Sequence, residues 1–153
     1  KFTNPDSTHY GASMFSQANF TKELFETYFG VENGKTELML TPVEPDGTLG
    51  ELETRLGRFK PRSTNYYFEL AAATGLPHPG EQAPIAVFLE LDSGAYLYLF
   101  RLPGQVGFDE LDALLASYPA PGGNRLRRET LDLATLQDAW PGCPLLSAPE
   151  PPL

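Results

Sequence analysis

The sequence predicts a mainly β domain with a few short helices, a small barrel of mixed strands whose openings are closed by the helices. Three observations predict it. Short apolar or alternating runs recur along the chain, each bounded by Gly, Pro, Asn or Asp. Proline (15 residues) and glycine (14 residues) are plentiful, which favours many turns over long helices. Helical patterning is confined to short stretches, one among the early strands and one after a hairpin. A chain of 153 residues fits one domain with a real core.

Residues 3–17 are polar and irregular and read as an exposed arm leading into a short strand. Residues 19–30 then read as a short helix. Asn19 would cap it, Phe20, Leu24 and Tyr28 would share a face, and Gly30 would close it. Lys35 to Thr41 is a strand, followed by the turn Glu44-Pro45-Asp46-Gly47. Residues 49–56 alternate well, with Leu52 and Leu56 expected inward and the charges outward. Thr64 to Ala72 reads as a further strand and residues 75–82 as a Pro/Gly-rich loop.

Pro84 to Leu91 is almost continuously apolar, and Asp92-Ser93-Gly94 turns it into the strand Ala95 to Leu102. Tyr96, Tyr98 and Phe100 then share one face, and Ala95, Leu97 and Leu99 the other. The three aromatics could stack single-stranded bases, but on a central hairpin they read as core. Phe108 to Tyr118 is a helix with acids in its first turn and Pro119 at its end, and Asp132 to Trp140 is a shorter one. Residues 1–146 form one domain on this reading, and the Pro-rich residues 147–153 read as a linker.

The net charge is −9, which argues against indiscriminate nucleic-acid binding. The charge is uneven. Residues 1–62 carry seven bases and nine acids, a net of −2; residues 63–153 carry four bases and eleven acids, a net of −7. Residues 55–68 hold four of the eleven basic residues and no acid. An acidic body with a locally basic edge would bind DNA in one orientation and repel it elsewhere. Cys143 is the single cysteine, so no internal disulfide can form and a reducing cytoplasm, bacterial in this reading, is expected. No run reaches the length of a membrane span, and the polar opening Lys1 to Asp6 gives no sign of a signal peptide.

Within the acid-free segment, Arg62 presents a planar fork that fits guanine and Asn65 a pair of groups that fits adenine. Arg58 and Lys60 suit phosphate contacts, Ser63, Thr64 and Tyr66 add hydrogen-bonding groups, and Pro61 stiffens the loop. The plainer reading is a solvated basic turn. His9 and Tyr10 could reach bases or phosphates from the first arm, and Asp6 could accept from a cytosine amino group or cap a turn.

Catalysis finds little support. None of the four lysines has an acid two positions before it, as the common nuclease core requires. Two histidines and one cysteine cannot make the usual structural zinc site, so no metal or other cofactor is expected. No Gly-x-Ser-x-Gly elbow, phosphate-binding loop or dinucleotide fingerprint is present.

The chain resembles the N-terminal effector-binding domains of EcoRII-type restriction endonucleases. Lys1, Asn4, Asp6, Ser7, Thr8, His9 and Gly11 appear in the order of that family's first arm, and Lys22-Glu23-Leu24-Phe25 follows. Phe59-Lys60-Pro61-Arg62 with Asn65 stands where the family has its second arm, and Pro77 to Tyr118 reproduces its loop, apolar hairpin and acidic helix. The resemblance spans roughly residues 1–120. It implies a B3-like DNA-binding pseudobarrel whose two arms grip the major groove of double-stranded DNA. By carry-over the first arm is Asp6, Ser7, Thr8, His9 and Tyr10 with Ser13, and the second runs from Arg58 to Tyr66. It also implies a CCWGG-like site, a non-catalytic monomeric domain, and a nuclease domain of the same polypeptide as partner. The rival expectation is an acidic protein-interaction module, such as an immunity or DNA-mimic protein. The net charge favours that rival, and the acid-free stretch argues against it.

Overall fold

The hairpin that the sequence marks most clearly is the centre of the fold. A computed structural model describes residues 17–20, 22–31, 36–59, 66–73, 82–119, 128–149 and 151. Among them, β6 (Ile85–Glu90) pairs antiparallel with β7 (Tyr96–Arg101) from Ile85↔Arg101 to Glu90↔Tyr96. Asp92 and Ser93 make the turn between them. On its other side β7 runs parallel to β2 (Glu37–Pro42), which pairs antiparallel with β3 (Glu53–Leu56). The result is a four-stranded mixed sheet in the order β3-β2-β7-β6. Three further strands, β1 (Gln17–Phe20), β4 (Arg58–Phe59) and β5 (Tyr66–Glu69), form a second sheet in the order β1-β5-β4.

The protein is thus mainly β with a few short helices: α1 (Lys22–Thr27), α2 (Phe108–Ala116) and α3 (Leu133–Ala139). Neither sheet closes on itself among the described residues. β3 packs against β5 where the two sheets meet.

Every residue of β7 is buried, because the strand is central and covered on both faces. Tyr96, Tyr98 and Phe100 join Phe25, Leu40 and Leu70 in one core; Leu97 and Leu99 join Phe108, Leu111, Leu136 and Trp140 in the other. The two faces expected from alternation are therefore the two faces found, and the aromatic triplet is core rather than a stacking platform. Each such side chain contributes about 1.5–3 kcal/mol by leaving water. The first core is aromatic. Phe29 meets Tyr28 and Phe88 edge-on at 4.8 and 5.3 Å between ring centroids. The Tyr28 hydroxyl donates to Phe88 O (2.9 Å) and the Tyr96 hydroxyl to Tyr28 O (2.8 Å), tying the end of α1 to β6 and β7.

The acidic first turn of α2 matches expectation, and the short helix expected over residues 132–140 is α3, with Asp132 as its cap. Asp132 Oδ1 accepts from the Thr135 backbone N–H (2.8 Å) and its hydroxyl (2.6 Å). The Glu44–Gly47 turn closes with Gly47 N donating to Glu44 O (2.9 Å).

Three expectations are corrected. The first helix begins at Lys22, not after Asn19; Asn19 and Phe20 belong to β1, where they pair with Tyr67 and Tyr66. Pairing with a distant strand overrides the local capping signal. The face of β3 is inverted: Glu53 is buried at 8% exposure, whereas Leu52 and Leu56 are 44% and 42% exposed. The alternation was legible, but which face is inward depends on what lies over it. The strand expected over Thr64–Ala72 is shorter, ending at Glu69 before a 3-10 turn at Ala71–Ala73.

Candidate nucleic-acid interface

The three-stranded sheet carries the backbone next to both sequence-predicted arms. β5 is its middle strand. Arg58 pairs with Tyr67 and Phe59 with Tyr66, so β4 and β5 form a hairpin across residues 60–65. On the other edge Gln17 pairs with Glu69 and Phe20 with Tyr66. Gln17 is the first described residue after the first arm. The flanks of the second arm thus lie at the Phe20 end of the sheet, and Gln17 lies at the other end. Three residues of strand separate the two ends, about 10 Å.

Of the residues assigned to the second arm, Arg58 and Tyr66 are placed by their backbones on neighbouring rungs. Lys60, Arg62, Ser63, Thr64 and Asn65 lie outside the described residues, as do Asp6, Ser7, Thr8, His9, Tyr10 and Ser13 of the first arm. The geometry of the site is therefore that of its base.

Two contacts shape that base. Gly57, between β3 and β4, presses on the first core: a Cβ there would come within 2.8 Å of Phe25 and Val31, and Gly57 N donates to Thr36 O (3.2 Å). The second contact is a buried carboxylate. Glu53 accepts at Oε1 from the Tyr98 hydroxyl, and at Oε2 from Arg55 Nε (3.1 Å) and Ala71 N (3.0 Å). The Tyr98 oxygen in turn accepts from Ala72 N (3.3 Å). Burial first, and Glu53 second, push the Tyr98 hydroxyl well above its usual range, so it stays a donor at every physiological pH. One cluster therefore fixes the chain before the second arm, at Glu53 and Arg55, and after it, at Ala71 and Ala72.

The same cluster changes the charge reading. Arg55, one of the four basic residues in the acid-free segment, is paired with Glu53. The sequence signal was present: Glu53 and Arg55 are two apart on a strand and so share a face. Their partner Tyr98, 45 positions away, left no such trace.

Elsewhere, an apolar cavity of about 400 Å³ runs along β6 between α1 and α2, with Leu24, Tyr28, Phe88, Leu111, Leu115 and Leu136 in its wall. A smaller one, of about 160 Å³, sits where β2 leaves β7 and is lined by Glu44, Tyr98, Arg101 and Gln105 among others. Sequence reasoning singled out neither. No cluster of three or more His, Cys, Asp or Glu able to hold a metal occurs among the described residues, and no helix among them is long and apolar enough to cross a membrane. Comparison with protein-family models, with curated proteins and with solved structures found no match to the chain.

Proposed function

We propose that the chain is a sequence-specific double-stranded DNA-binding domain, the effector module of a type II restriction endonuclease, with its strands arranged as a B3-like pseudobarrel. The observation that carries this reading is the β1-β5-β4 sheet, whose strands β4 and β5 flank the second arm and whose strand β1 is the first described element after the first arm. The sequence adds an acid-free stretch at 56–66 whose bases are Arg58, Lys60 and Arg62. In an acidic chain such a stretch favours an anionic partner on one face only.

In this mechanism Arg62 and Asn65 read base edges in the major groove, while Arg58 and Lys60 hold phosphates and set the register. Asp6, His9 and Tyr10 work from the first arm. The Glu53 cluster and Gly57 hold the base of the second arm and so lower the ordering cost on binding. Binding would then be relayed to a nuclease domain of the same polypeptide. The site implied by the resemblance is CCWGG-like, and no metal takes part in recognition.

The test is selection from a labelled duplex pool by fluorescence anisotropy at two salt concentrations. Enrichment of one short motif, with affinity falling as salt rises, supports the reading. The double variant Lys60→Ala/Arg62→Ala should then bind at least about tenfold more weakly with an unchanged unfolding midpoint. Absence of binding at low salt would overturn it and favour the acidic protein-interaction module.

A further inference from the structure

The first core and the base of the second arm account for Glu53, Arg55 and Tyr98. They do not account for Arg101. This residue ends β7 and is only 5% exposed. Its guanidinium lies over the Trp140 ring at 5.9 Å, and Nη1 donates one long bond to Phe100 O (3.3 Å). Nε is buried, and among the described residues no acceptor lies within hydrogen-bonding distance of it. Among the described residues no carboxylate pairs with it. A guanidinium has five N–H donors and keeps its charge in a protein. Burying one with a single weak acceptor is costly. Burial lowers the Arg101 pKa, against the opposing pull of Cys143 and Glu44.

Arg101 lines the smaller cavity, which opens where the chain turns away from β7 after Val43. Gln105 stands beside it. Leu102 N donates to Gln105 Oε1 (2.8 Å), which fixes the amide orientation and leaves the amide nitrogen to donate. The volume of about 160 Å³ is far below the ~300 Å³ at which drug-sized pockets begin, and equals about five water volumes of ~30 Å³ each. Glu44 is the one acidic residue in the lining, and it is exposed.

We infer that this cavity is a binding site for one small oxyanion, a carboxylate or a phosphate group, held by the Arg101 guanidinium with the Gln105 amide as second donor. A guanidinium keeps its charge and is weakly hydrated, which suits either group. The Trp140 ring, 5.9 Å from the guanidinium carbon, packs against the group and limits its ordering cost on binding. Glu44 weakens the site by repulsion. The inference does not depend on DNA binding.

The test is a titration of the intact chain with sodium phosphate and, separately, sodium acetate, at constant ionic strength. The readout is the Nε–Hε resonance of Arg101, assigned by its loss in Arg101→Lys. A saturable shift with one or both probes is expected, and the probe that saturates names the chemistry. Glu44→Gln should tighten binding several-fold, and Arg101→Lys, which keeps the charge but loses the fork, should weaken it about tenfold as followed by thermal stabilisation. If Arg101→Lys does not fold, saturable thermal stabilisation of the wild type by each probe, and its increase in Glu44→Gln, decide in its place. A response that stays linear to tens of millimolar with both probes, or one unchanged by Glu44→Gln, overturns the site.

Discussion

The Tyr98 hydroxyl donates to the buried carboxylate of Glu53, joining the middle of β7 to the start of β3 across 45 residues. Around this bond the two sheets meet, since Glu53 also accepts from Ala71 N beyond β5. Tyr98→Phe keeps the ring but leaves Glu53 Oε1 and Ala72 N without their partner. A loss of about 1–3 kcal/mol in urea unfolding is expected. Glu53→Leu strands the buried Tyr98 hydroxyl, the Ala71 N–H and the Arg55 charge together and should cost about 3 kcal/mol or more. Equal and small effects from both variants would show that the cluster does not hold the fold.

The inverted face of β3 gives a sharper contrast. Leu52 and Leu56 are exposed, while Glu53 between them is buried. Leu52→Ser and Leu56→Ser should each change stability by no more than about 0.5 kcal/mol. A loss of 2 kcal/mol or more, within the ~2–5 kcal/mol range of core truncations, would mean that the leucines point inward after all.

Alkaline stability should report on the aromatic core. Burial first and the Glu90 charge second push the Tyr28 and Tyr96 hydroxyls up to about 12 from the ordinary 10.0. The folded state thus prefers the neutral phenol. The stability this confers is complete below pH 10 and is lost as pH rises towards about 12. Urea midpoints measured across that range should fall, and fall less steeply in Tyr28→Phe. Glu90→Gln should lower the pH at which the two tyrosines ionise. A flat profile through pH 12 would contradict the burial of these hydroxyls.

Gly107 caps α2 at φ 87°, and a Cβ there would run into the Trp140 ring. Gly47 has nearly the same φ, 86°, with nothing within 4 Å. Both Ala variants carry backbone strain, of about 1–3 kcal/mol. Only Gly107→Ala must also displace the indole whose ring lies 5.9 Å from the Arg101 guanidinium carbon. It should be the more destabilising by about 2 kcal/mol in urea unfolding. Equal costs would mean that Trp140 yields freely.

The sequence by itself determined what depends on neighbours along the chain. The β6–β7 hairpin, its two alternating faces, the acid-led α2 and the short helix after Asp132 were all legible, because periodicity and turn residues act over a few positions. The acid-free stretch that motivates the DNA reading is likewise a local signal. Tertiary structure decided the rest. It drew Asn19 and Phe20 into β1 by pairing them with β5, and it turned Glu53 inward because Tyr98 and Ala71 wait there to satisfy it. It also buried Arg101 beneath Trp140 at the end of an otherwise apolar strand. An alternating pattern states that a strand has two faces; only the partners brought from elsewhere in the chain determine which face is dry, because desolvating a charge is tolerable only where its hydrogen bonds are already assembled.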